Sequence, residues 1–254
     1  MSKQKFIPGI YNYCDRWCER CTFTSRCRNY ASTSKLSPEQ LDINNKAFWD
    51  TISANFSKAI ELLHKAATEH GIDLDKPMTK EENEAYEKRE RFLDRATKNH
   101  TLIKLCKQYE KTARPFLQTN DVMADEAKGL LDEFQMGLKS EAQVIHSVGG
   151  IHNCLEIIQW YLFFIDAKLQ RALHGKLDGL EDDDVDFPKD SDGSAKIAVI
   201  AIEKSMSAWV KLYEQMPSAE DVALKSLSIL SQLKKLTLDE FPNAMQFMRP
   251  GFDD

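Results

Sequence analysis

Cys14, Cys18, Cys21 and Cys27 fall within fourteen residues at the spacing C-x3-C-x2-C-x5-C, and only Cys106 and Cys154 occur elsewhere in the 254-residue chain. Four thiolates from one short stretch are a complete ligand set for a tetrahedral Zn²⁺ or an iron–sulfur cluster. The first three are related as i, i+4 and i+7, one face of a helix. In a regular helix Cys14 and Cys21 would stand ~10.5 Å apart along the axis. Two sulfurs on one zinc are at most ~4.6 Å apart, so zinc requires this stretch to be looped. A four-iron cluster, with a thiolate on each corner iron, accepts either form. Arg16, Arg20, Arg26 and Arg28 interleave the thiols and offset the negative charge of either centre. The expectation is a metal held by these four cysteines, zinc ahead of iron–sulfur. The bland alternative is four reduced thiols, some packed beside Trp17 and Phe23.

A second set of candidates lies on the apolar segment from Ile151 to Leu173. His152, Glu156, Gln159, Asp166 and Gln170 gather there on a single stripe. His152 and Glu156 are i and i+4, close enough to share a proton or a ligand. If the stripe lined a polar interior cleft, with Glu203 opposite and His146 nearby, that pair would be a candidate general acid/base. Otherwise the stripe is the solvent side of a central helix. Glu61-Leu62-Leu63-His64 matches the Glu-x-x-His of carboxylate-bridged metal bundles, but both side chains project off the apolar face of their helix. Asp190, Asp192 and Gly193 have the spacing of a calcium loop whose first and twelfth positions, Pro188 and Val199, cannot ligate. Cys106 and Cys154 read as core packing.

Over eight residues the C-x3-C-x2-C spacing resembles the cluster motif of radical S-adenosylmethionine enzymes. The alternating strands and glycine-rich stretch of that family's β/α barrel do not follow, so no function is carried from it. No phosphate loop, dinucleotide fingerprint or serine-nucleophile elbow is present.

The elements that must position these residues are helical. Ser37-Pro38-Glu39-Gln40 is a capped start, and Leu41, Phe48, Ile52, Phe56, Ala59, Leu63 and Ala66 then form one apolar stripe up to Gly71. Thr79 and Glu82 open a charged helix whose buried face runs through Ala85, Phe92, Ala96, Ile103 and Cys106, and which Pro115 ends or kinks. A third helix is expected from Asp121 to Leu138, with Ser140 capping a continuation that Gly149-Gly150 breaks. Ile151 to Leu173 should be the central, most buried helix. The aspartate-rich stretch from Gly179 to Ser194 reads as a solvated loop. Helices from Ala195 to Met216 and from a Ser218 cap to just before Pro242 complete the chain. The expected fold is all-α, an antiparallel bundle of five to six helices (37–254) carrying a cysteine-rich metal-binding segment (1–36).

With 42% apolar and 29% charged residues the chain can bury a core. A net charge of -6 disfavours nucleic acid and anionic lipid as partners and leaves protein partners. The opening residues lack a secretory apolar core, and no stretch spans a bilayer. The expected compartment is the cytoplasm, where thiols stay reduced and favour metal over disulfides.

Overall fold

The computed structural model describes residues 6–74, 76–179 and 189–253, and the side chains of all of these except 120–123 and 125. Among the described residues there are nine α-helices and no strand. They are α1 (Arg28–Thr33), α2 (Pro38–Leu41), α3 (Lys46–Glu69), α4 (Lys80–Asn99), α5 (Thr101–Gln118), α6 (Asn120–Gln135), α7 (Glu141–Asp178), α8 (Asp190–Gln215) and α9 (Glu220–Glu240). None is long and apolar enough to cross a membrane. The all-α expectation holds, with more helices than expected.

The chain divides into two compact units, one of Met1–Asn12 with Arg16–Arg91, the other of Tyr13–Asp15 with Phe92–Asp254. In the first, the capping box at Ser37 and Gln40 forms as expected. The helix it opens ends at Leu41, because Asp42 Oδ1 accepts from Asn44 N at 2.9 Å and Asn45 then caps α3 through Ala47 N at 3.0 Å. Two short polar side chains thus turn one expected helix into two. Thr79 and Glu82 form their reciprocal cap.

In the second unit α7 packs on α8, α8 on α9, and α5 on both α7 and α9. His100 accepts from Leu102 N at 3.3 Å and starts α5 afresh, so the charged helix that was expected to continue ends at Asn99. Its buried residues are Leu93 and Thr97, while Phe92 is exposed. Pro115 lies inside α5, which runs on to Gln118.

Gly149-Gly150 breaks nothing. Ser140 and Gln143 box the start of α7, which runs unbroken for 38 residues. A Cβ on Gly150 would lie 2.5 Å from the terminal amide of Gln215 at the end of α8, a flexible side chain that could move aside. Between Ile151 and Leu173 only one face of α7 is buried, with Trp160 and Phe163 exposed, and α8 rather than α7 is the deepest helix, with Trp209, Ile202 and Ala198 fully enclosed. α8 also begins five residues before its expected start, taking Asp190, Asp192 and Gly193 out of the acidic loop. Asp182, Asp183, Asp184 and Asp186 lie outside the described residues. Ser218 sits in a 3-10 turn and makes no capping bond to α9, which ends before Pro242 as expected.

Candidate metal centre and its anchor

The cysteine stretch is looped, not a helix face. Two 3-10 turns, Cys18–Arg20 and Thr24–Arg26, each close on the following cysteine: Cys21 N donates to Cys18 O at 3.2 Å and Cys27 N to Thr24 O at 3.2 Å. Arg16 takes a left-handed φ of 57°, rare for a side chain with a Cβ. This is the condition that zinc imposes, and the i, i+4, i+7 helical arrangement is not adopted. Ile7 N donates to Arg26 O at 3.1 Å, holding the segment before the cysteines against its end.

Two sulfurs receive backbone amides. Phe23 N donates to Cys21 Sγ at 3.4 Å, and Tyr30 N to Cys27 Sγ at 3.5 Å as Cys27 caps α1. An N–H aimed at sulfur fixes the direction of its lone pairs. All four cysteines are partly exposed and none is in a disulfide. Trp17 stacks under the Arg20 guanidinium at 3.9 Å. Among the described residues no three His, Cys, Asp or Glu side chains are grouped as a metal site, so the knuckle expected from the spacing is not shown.

Cys14 belongs to the second unit, and both of its neighbours are anchored there. Tyr13 donates to Asp190 Oδ1 at 2.8 Å, and its ring meets Phe247 with centroids 4.5 Å apart. Asp15 Oδ2 accepts from the buried Tyr161 hydroxyl at 2.6 Å and from Lys204 Nζ at 2.9 Å, while Trp160 Nε1 donates to Asp15 O at 3.0 Å. Lys204 also donates to the Tyr161 oxygen at 3.0 Å. Gly193 makes this seat possible, since a Cβ there would come within 2.5 Å of the Tyr13 ring. Sequence reasoning missed Asp15, Tyr161 and Lys204. Their partners are 146 and 189 residues apart, beyond any periodic signal.

No family model, curated protein or solved structure matches this chain.

The stripe on α7 is brought together only in part. His152 Nε2 lies 3.6 Å from Glu156 Oε1, with side chains 71% and 44% exposed. Glu203, expected opposite them, is paired with Lys234 at 2.8 Å. His146 is exposed. The pair therefore faces solvent and does not line an interior cleft. Glu61 and His64 are exposed on α3, in keeping with a chance match. The one stripe member with an unusual setting is Asp166. Its Oδ1 is buried with no hydrogen-bond partner, its Oδ2 accepts from Gln170 Nε2 at 2.7 Å, and burial raises its carboxyl above the usual range. Burial likewise raises the Cys106 and Cys154 thiols, as befits core packing.

Proposed function

We propose that Cys14, Cys18, Cys21 and Cys27 hold a metal, zinc ahead of iron–sulfur, and that this centre is structural or interaction-forming on a helical protein-binding module of the cytoplasm. The amide donors on Cys21 and Cys27, in a stretch already looped, carry the reading. They orient the lone pairs of two of the four sulfurs, and a looped stretch is the form that four thiolates on one zinc require. No catalytic step is assigned to His152, Glu156 or Glu203.

Protein purified without oxygen tests this. Colourless protein with one zinc per chain is the expected result. Cys18→Ser should release the metal and lower the melting temperature, because metal affinity is then part of the folding free energy. Iron with broad absorbance near ~400 nm would replace this reading with an electron-transfer centre. Metal-free protein whose melting temperature ignores added Zn²⁺ would overturn both.

A further inference from the structure

α3 is a 24-residue helix that buries only Ala67. Trp49, Phe56, Ile60, Leu62 and Leu63 all stand exposed, Phe56 at 66% and Trp49 at 55%. The indole of Trp49 already has its polar partner, donating to Ile43 O at 2.9 Å, so what it shows to water is apolar ring. A face of this size on one helix asks for an occupant.

The spacing along the face says what kind. Trp49, Ile52, Phe56, Ala59, Leu63 and Ala66 repeat at intervals of three, four, three, four and three residues. That is the seam of a helix paired lengthwise with another helix. Large residues occupy one set of seam positions (Trp49, Phe56, Leu63), while two of the three in the other set are alanines. Two such helices side by side in parallel would stack tryptophan on tryptophan and alanine on alanine, leaving alternate crowding and voids. Run antiparallel about a two-fold axis level with Ser57 and Lys58, the same helix sets Trp49 against Ala66, Phe56 against Ala59, and Leu63 against Ile52. Every layer then pairs large with small, or two aliphatic residues, which is how facing positions fill space. The face is complementary to itself under one rotation, as an isologous interface requires.

Charge agrees. The seam's flanks between Trp49 and Ala67 are Ser53, Asn55, Ile60, Leu62 and Ala67, so nothing there repels a second copy. On the far side Asp50 and Glu61 balance Lys58 and Lys65, which gives an anionic membrane or nucleic acid no purchase. Area agrees as well. Five large side chains about half exposed offer on the order of 100 Å² each. Two copies would bury roughly 1,000 Å², the threshold for a specific interface.

We propose that the protein is a homodimer through antiparallel pairing of α3 with α3 of a second copy. Sedimentation equilibrium of the full chain under reducing conditions should return twice the 29.1 kDa of the chain. Phe56→Glu places a carboxylate in the middle of the seam and should weaken the dimer by ~100-fold or more, because the charge would be buried unpaired. Phe56→Ala alone should weaken it less. The double variant Phe56→Ala/Ala59→Phe exchanges the two sides of one layer and should restore the wild-type mass, a rescue that mere loss of fold could not produce. A monomer at every concentration, a dimer indifferent to Phe56→Glu, or a dimer abolished only by chelation would each overturn the pairing.

Discussion

Asp166 shows how one residue can sit against the grain of its surroundings. It projects from α7 with one carboxylate oxygen bonded to Gln170 and the other enclosed without a partner. Burial is the main reason its carboxyl is raised above the ordinary value. Glu110 pushes the same way, and Gln170 and Lys107 push against it. A carboxyl whose folded pKa is raised helps the fold while protonated, below the ordinary carboxylate range, and that help is lost as pH rises through the folded value. At neutral pH, then, Asp166 works against stability. Asp166→Asn keeps an acceptor for Gln170 and removes the charge. It should raise the melting temperature by a few degrees at pH 7, with the gain fading as pH falls below the ordinary aspartate range. Melting curves at the two pH values would check this, and a gain that persisted unchanged in acid would rule out charge as the cause.

Between elements, one fully buried polar link joins α5 to α8. Trp209 Nε1 donates to the Tyr109 hydroxyl at 3.0 Å, and both side chains are fully buried. Enclosure pushes the Tyr109 phenol up to about 12, so it is a neutral hydroxyl at pH 7. Tyr109→Phe would leave the indole N–H without an acceptor and should cost roughly 1–3 kcal/mol in urea unfolding. The helices that carry this link were legible in advance because their signals are local. Ser37 with Gln40 and Thr79 with Glu82 each announce a helix within four residues. Asn45 and His100 were not read as caps, so two helices were joined that the structure divides. The glycines misled for a different reason. Gly150 and Gly193 look like breaks, yet both lie within helices and against distant side chains, the mobile amide of Gln215 in one case and the rings of Tyr13 and Phe247 in the other. No window of sequence contains both halves of that relation. The cysteine cluster was legible by density alone, while the anchors of Cys14 depend on side chains from α7 and α8.

At the scale of the whole chain, a carboxylate of the opposite kind ties the C-terminal end to α8. Asp253 bonds Arg249 and lies 2.7 Å from Lys196, whose side chain is only 9% exposed and also donates to Phe247 O at 2.6 Å. These partners, Arg249 first, hold its carboxyl well below the usual range. Its contribution is therefore present above the ordinary aspartate value and is lost as pH falls through the depressed one. Asp253→Asn should cost roughly 2 kcal/mol at pH 7, since a nearly buried lysine loses its counter-charge. The difference from wild type should shrink in strong acid, which stability curves across pH would show. The seat of Tyr13 and Asp15 has a consequence in time. Lys204 lies 189 residues after Asp15, so on a ribosome adding about 5–20 residues per second it follows by roughly 10–40 s. Trp160 and Tyr161 come earlier, 145 and 146 residues after Asp15, so the seat on either side of Cys14 is completed in steps, long after that thiol has been made.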